Sequence, residues 1–398
     1  MVPRFLIAAL LCVGLAPRAL AAGQLDPAMG KALFDRQWVA APSSTQSDDG
    51  LGPIYDARSC NVCHAGGGAG ALLPKPVIGA GIVVRLGNAN GTPDPVYGFQ
   101  LQTKALPGQM PEGAPQMTWR MQGDVRVPVL QLGKLNFGTL ALDTHASPRR
   151  APSLYGVGLL ADVLEREILA HAKEEKNYYD LAPEPAWLTG AKGQRRLGRF
   201  GWQAVQPDLV GQVGSALSRD IGLSTSGYPD PWGECSAPEK ACRTGPHGAK
   251  PGEVEVPDQL RDLIVAYLNS LPPPKPRADT LGGRAVFVNI GCAACHAMLH
   301  TAKGQKIDAF TDLLLHDMGS DLNDGIGEGV AKPGQWRTAP LWGLSARLAA
   351  GGLLHDGRAR SVAEAIHWHS GDAARARLRF DTLTPGQKAA LISFVEGL

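Results

Sequence analysis

Two pentapeptides carry the most specific chemistry in this chain, Cys60-Asn61-Val62-Cys63-His64 and Cys292-Ala293-Ala294-Cys295-His296. In each, two thiols three positions apart stand directly before an imidazole. That spacing lets both thiols add across the two vinyl groups of one haem while the histidine turns onto the iron. A thioredoxin-like dithiol or half of a zinc site would use the two cysteines but has no need of the histidine that follows them. Occurring twice, the pattern predicts two covalently bound haem c groups, with His64 and His296 as iron ligands.

Each iron has a sixth position, and the stretch Ile366-His367-Trp368-His369-Ser370-Gly371 offers two candidates for it. Ser361-Val362-Ala363-Glu364 has the form of a capping box and Gly371 suits a helix end, so the spacing predicts a helix over 362–370. On such a helix His367 and His369 lie about 200° apart. Val362, Ala365, Ile366 and His369 form the buried stripe, which makes His369 the expected distal ligand of the His296 haem and turns His367 outward. Trp368 has no assigned part. His355 reads as structural, holding an Asp-Gly turn, and His316 as a hydrogen-bonding residue.

The first motif lacks a matching partner. His171 lies 19 residues after Pro152, whereas His369 lies 29 after Pro340. His145, His171, Met117 and Met121 remain candidates without comparable helical context, and an open His64 iron is expected. An open iron that cleaves peroxide needs a distal acid or base to move a proton. Glu165 and Glu167, on a helix predicted over 159–172, are the nearest acidic candidates, set against the plainer reading of a solvated face. Trp202 could carry electrons between haems, against the default of a core tryptophan.

The elements that must position these residues repeat. Gly30-Lys31-Ala32-Leu33-Phe34 precedes the first motif and Gly283-Arg284-Ala285-Val286-Phe287 the second. Arg149-Arg150-Ala151-Pro152 and Arg337-Thr338-Ala339-Pro340 follow them, and each unit closes with an amphipathic helix, over 256–271 and 383–398. Pro272-Pro273-Pro274-Lys275-Pro276 is a stiff boundary. The expected fold is therefore mainly α: two cytochrome c-like domains, 23–271 and 283–398, joined by a linker over 272–282. Segments within 80–140 alternate like strands, so the first domain is expected to carry a β-rich insertion. A second excess of chain, over 172–250, has no assigned role.

Residues 1–22 read as a secretory signal peptide, with Arg4, an apolar core over 5–15 and Ala19-Leu20-Ala21. No later run approaches the ~18 apolar residues needed to span a bilayer, so no transmembrane segment is expected. Removing Arg4 and Arg18 with the signal leaves 37 basic residues against 37 acidic ones, a balance that argues against nucleic acid or a membrane surface as partner. An exported, periplasmic chain also permits a disulfide between Cys235 and Cys242. The 49 glycines and 31 prolines predict substantial loop.

The blocks LGPIYDARSCNVCH, PRRAPSLYGVGLL, LGRFGWQA, FTDLLLHDMGSDLND, WRTAPLWGLS and LLHDGRARSVAEAIHWHSGDA together resemble the di-haem c-type oxidoreductases, a family of peroxidase-like proteins also catalogued as predicted thiol oxidoreductases. The family is similar to bacterial di-haem cytochrome c peroxidases, the di-haem enzyme of methylamine utilisation and haem-dependent rubber oxygenases. In those peroxidases the residue fourteen positions after the histidine of an H-D-G block fills the distal site of the C-terminal haem. Fourteen after His355 is His369, which implies bis-histidine ligation there. The resemblance implies reaction of substrate at the N-terminal haem. The peroxidases' own distal glutamate is absent: after Gly158-Leu159-Leu160 this chain has Ala161 and Asp162. Some relatives hold calcium between their domains, but Asp317, Asp321 and Asp324 match no known cation loop, which leaves calcium without sequence support.

The reading is a periplasmic oxidoreductase. A small redox protein or quinol-linked donor would reduce it, and hydrogen peroxide or another small-molecule oxidant would react at the His64 haem. Pure electron transfer, oxygenase chemistry on an organic substrate and thiol oxidoreduction are the competing classes.

Overall fold

A computed structural model describes residues 25–45, 48–72, 78–176, 181–279 and 281–398. The expected signal peptide, 1–22, lies outside the described residues. The mainly α expectation is overturned: helix makes up 31% and strand 18%, and among the described residues the strands pair in six two-stranded antiparallel sheets. A pair of cytochrome c-like domains is not what this arrangement shows. Strand is not confined to 80–140 either, since Trp187–Thr189 pairs with Arg195–Leu197 and Leu315–Asp317 with Gln335–Arg337. Strands of two or three residues are too short to display any periodicity, whereas the longer ones, Ile82–Gly87, Gln116–Gln122 and Val125–Gln131, lie where the 80–140 stretch alternates.

The two closing helices fall within the expected 256–271 and 383–398, at Asp258–Ser270 and Pro385–Glu396. Pro27–Asp35 starts at Asp26, whose carboxylate accepts from the Ala28 amide, with proline in the first turn; such a cap is worth about 1 kcal/mol. It packs on Asp258–Ser270. The repeated unit does the same with Gly283–Asn289 against Pro385–Glu396, the latter opened by a Thr384/Gln387 capping box. Both crossings turn on a glycine. A β-carbon on Gly30 would stand 1.9 Å from the Leu263 carbonyl oxygen, and one on Gly283 2.1 Å from that of Ala390. Phe34 meets Tyr267 edge-on at 5.2 Å in the first pair, and Phe287 meets Phe394 at 5.5 Å in the second.

Other elements depart from expectation. The helix predicted over 159–172 is two, Val157–Ala161 and Glu165–Glu174, interrupted after Asp162. The helix at 362–370 ends at His367, and Gly371 opens a tight turn, Gly371–Ala373, instead of closing the helix.

Three features build the site. Ile82–Gly87 pairs with His145–Arg150, setting Arg85, Arg149 and Arg150 on one ladder. Leu209–Ala216 runs into a π turn, Leu217–Ile221, that carries Arg219 and Asp220; such turns re-aim side chains where a regular helix could not. In the 172–250 region, Cys235 and Cys242 are disulfide-bonded.

Candidate functional site

The two C-x-x-C-H motifs open onto two cavities, of about 220 Å³ at His64 and about 470 Å³ at His296. Cys60–Cys63 is a single helical turn, capped by Ser59, whose hydroxyl accepts from the Asn61 amide. His64 follows it, and its Nδ1 donates to the Pro152 carbonyl at 2.9 Å. His296 is held alike, with Nδ1 2.9 Å from the Phe310 carbonyl oxygen. A donating Nδ1 fixes the tautomer and leaves Nε2 as the basic nitrogen. Burial lowers His64 and drives His296 down to about 4, so both rings stay neutral and able to bind metal.

The thiols are unpaired. Burial pushes Cys60, Cys63 and Cys292 up to about 12 and Cys295 to about 11. Dithiol redox chemistry relies on a lowered thiol pKa, so these pairs are poor redox thiols.

The cavities differ in what faces the histidine. Across from His296 stands His369, with ring centroids 6.5 Å apart and planes at 44°. Its Nδ1 donates to the Ala365 carbonyl at 2.6 Å, and burial lowers its pKa. Two imidazoles each bonding one metal at about 2 Å would stand at about this spacing. His367 is exposed, as helical phase predicts, while Trp368 is buried with the Arg358 guanidinium 4.7 Å over its ring.

Among the described residues, no second histidine and no methionine lines the His64 cavity. Its polar lining includes Arg85, Gln100, Asp220 and Glu328 instead. Gln100 Nε2 donates to Asp220 Oδ1 at 2.9 Å, and Arg85 Nη1 to Gln100 Oε1 at 3.1 Å. Burial raises the Asp220 carboxyl above its ordinary range against the pull of Gln100 and Arg85. Burial would raise Glu328 too, but Arg85 and Arg149 hold it below.

Trp202, Arg337 and Arg347 line both cavities. The Trp202 indole donates to the Arg150 carbonyl at 2.8 Å. Arg150, Arg337 and Arg347 bond backbone carbonyls only: Arg337 to Gly201 and Thr338, each at 3.0 Å, and Arg347 to Pro340 at 2.7 Å, with Arg347 Nε lacking an acceptor. Burial lowers all three to about 10. Three guanidinium groups without a carboxylate, Arg150 buried and Arg337 and Arg347 half-buried, call for an anion from outside the chain. Haem, with its two propionates, fits that requirement as well as the cysteines and histidines.

Not every residue singled out from the sequence reaches a cavity. Glu165 accepts from the Leu197 amide at 3.2 Å and Glu167 meets His300 Nδ1 at 2.8 Å. Neither lines the His64 cavity, because the break after Asp162 resets the helical phase. His145, His171, Met117 and Met121 stay away from it too. His355 does reach one, lining the His296 cavity and stacking on Trp336 at 3.9 Å. Asp317 caps a turn at the Gly319 amide while Asp324 pairs with Arg149, so the acids at 317, 321 and 324 do not gather into a calcium site. Residues missed from the sequence were Arg85, Gln100, Asp220 and Glu328. The repeated Arg149 and Arg337 blocks were the one available signal for the arginines.

A family model described as "Di-haem oxidoreductase, putative peroxidase" matches residues 17–92 and 136–398. The unmatched stretch contains the hairpin Gln116–Gln122/Val125–Gln131. No curated protein matches the chain. Among solved structures, the hydrazine synthase of Kuenenia stuttgartiensis, pressurised with 20 bar xenon, aligns over 100% of this chain and 99% of its own, at 13% identity and a TM-score of 0.32. A likeness that slight carries no argument. Among the described residues, no helix is long and apolar enough to cross a membrane.

Proposed function

The chain belongs to the di-haem oxidoreductase family, and on that premise we propose that it reduces hydrogen peroxide at the His64 site in the periplasm, with electrons passed from the His296 site. Cys60 and Cys63 would hold one haem covalently, Cys292 and Cys295 the other, with His64 and His296 as iron ligands and His369 as the second ligand at the C-terminal site. The observation that carries the reading is the asymmetry between the cavities: His369 faces His296 at 6.5 Å, whereas the described residues offer His64 no such partner.

Bound haem supplies an iron that takes up and passes on single electrons. The chain's own part at the His64 site is proton handling and orientation. Asp220 Oδ1 is occupied by Gln100 Nε2, which leaves Oδ2 to carry a proton between the two oxygens of a peroxide. Arg85 fixes the Gln100 amide through its Oε1, so Asp220 is presented in one orientation. Asp220 thus stands in for the glutamate missing after Leu160, and Glu165 and Glu167 are left to structure. Trp202, in the wall of both cavities, is the residue placed to carry electrons between them. The Cys235–Cys242 disulfide supports an oxidising compartment.

Electron paramagnetic resonance of the oxidised protein, with and without peroxide, tests the proposal. One high-spin and one low-spin ferric signal, the high-spin one altered by peroxide, is the expected result. Two low-spin signals indifferent to peroxide would leave only an electron carrier.

A further inference from the structure

At the edge of the His296 cavity, which His316 and Asp372 help to line, lies a cluster of buried acids around one imidazole. Glu175 caps the end of the Glu165–Glu174 helix, Asp312 and His316 flank the start of the strand Leu315–Asp317, and Asp372 lies in the turn Gly371–Ala373. His316 Nε2 is 2.9 Å from Asp312 Oδ2 and 3.5 Å from Glu175 Oε2. On the other edge of the ring, Nδ1 is 3.4 Å from Asp372 Oδ2. Glu175, Asp312 and His316 are 1%, 0% and 2% exposed.

His316 is the cluster's own cation, because burial is outweighed by Asp312, which holds its pKa well above the ordinary value. Its Nε2–H, however, is given to Asp312 and not to Glu175. Among the described residues no lysine or arginine pairs with any of the three carboxylates, and both Glu175 oxygens lack a hydrogen-bond donor. A carboxylate this deep, without a donor, costs several kcal/mol unless a cation or a proton meets it. We infer that Glu175, Asp312 and His316 bind a divalent transition-metal ion of the zinc or manganese class.

Two carboxylate oxygens and one imidazole nitrogen suit such an ion, whereas calcium and magnesium favour shells of oxygen alone. His316 Nδ1 faces Cys295 Sγ at 3.7 Å and Asp372 Oδ2 at 3.4 Å, which leaves Nε2 as the nitrogen to turn its lone pair toward the ion. Without the ion, Glu175 keeps a proton: burial and then Asp312 push it up to about 9. Binding expels that proton and the one on His316 Nε2, which must leave before the nitrogen can ligate.

The site has a job in the fold. Phe310 and Leu313, on either side of Asp312, both have positive φ, 51° and 63°, a conformation that costs side-chain-bearing residues of order 1 kcal/mol each. The Phe310 carbonyl is the group that orients His296. An ion on Asp312 would pin this strained loop to the helix end at Glu175. Cys295 Sγ borders the cluster, 3.7 Å from His316 Nδ1; held to haem as a thioether, it would leave the ion to Glu175, Asp312 and His316.

The test uses the full holoprotein, stripped with EDTA, equilibrated with zinc sulfate, desalted and counted for zinc and iron by plasma mass spectrometry. One zinc per chain is expected in the wild type, and none in Glu175→Gln/Asp312→Asn with its visible spectrum intact. Zinc absorption spectroscopy of the wild type should show only nitrogen and oxygen neighbours at about 2.0–2.1 Å, with a single imidazole. No zinc retained by the wild type, full retention by the double variant, or a sulfur or multi-histidine shell would overturn the inference. Should the double variant fail to fold, the wild-type shell still decides. An iron count of zero with zinc retained in a nitrogen-and-oxygen shell would sink the haem reading alone.

Discussion

Replacing Asp56 by asparagine should flatten the pH dependence of stability between about pH 4 and pH 7. Asp56 is fully buried behind the His64 motif. Its Oδ1 accepts from the Thr103 amide at 3.1 Å and hydroxyl at 2.6 Å, and its Oδ2 from Gln100 Nε2 at 2.9 Å. Burial, reinforced by the charge of Asp220, nevertheless lifts the carboxyl from its ordinary 3.8 to about 7, against those hydrogen bonds. Below the lower value folded and unfolded chains are both protonated, and the stability is fully present. As pH rises, the unfolded chain ionises first, so stability is lost until the folded carboxyl titrates too. The loss is about 1.4 kcal/mol per pH unit, about 4 kcal/mol across the window. Asparagine cannot ionise, so this descending arm disappears. Its Nδ2, set against Gln100 Nε2 as donor to donor, should also lower stability by about 1–3 kcal/mol at every pH. Urea denaturation of the holoprotein, followed by far-ultraviolet circular dichroism from pH 4 to 8, measures both effects. Equal slopes in wild type and variant would refute the reasoning, whatever their absolute stabilities.

His369→Ala should convert one low-spin haem signal to high-spin. His367→Ala should leave the spectrum alone and change stability by no more than about 0.5 kcal/mol, its side chain being exposed; resonance and absorption spectra of the two variants check the pair. Trp202→Phe removes the indole bond to Arg150 and should cost about 1 kcal/mol. It should also slow electron exchange between the haems without changing either resting spectrum, as read by stopped-flow oxidation of the half-reduced protein. Gly283→Ala forces a methyl against the Ala390 carbonyl oxygen and should destabilise by about 1–3 kcal/mol or more, measured by thermal denaturation.

What the sequence by itself determined is written at short range. The C-x-x-C-H motifs, the repeated glycine of the opening helices, the amphipathic closing helices and the opposite facing of His367 and His369 each depend on residues a few positions apart. Helical and turn geometry fix such spacings before any tertiary contact forms. Even there the reach was limited. Counting turns through Asp162 put Glu165 and Glu167 on one continuous helix with the wrong phase, and many two- and three-residue strands went unseen. Only the tertiary structure decided the walls of the His64 cavity. Arg85 and Gln100 come from the β-rich stretch, Asp220 from a π turn and Glu328 from a loop near the second motif. The carbonyl that orients His64 lies 88 residues away, at Pro152. The protonation of Asp56, Glu175 and Asp220 was beyond the sequence for the same reason. It depends on how much water the closed fold removes and which charges it leaves nearby, and neither quantity exists until distant segments have packed.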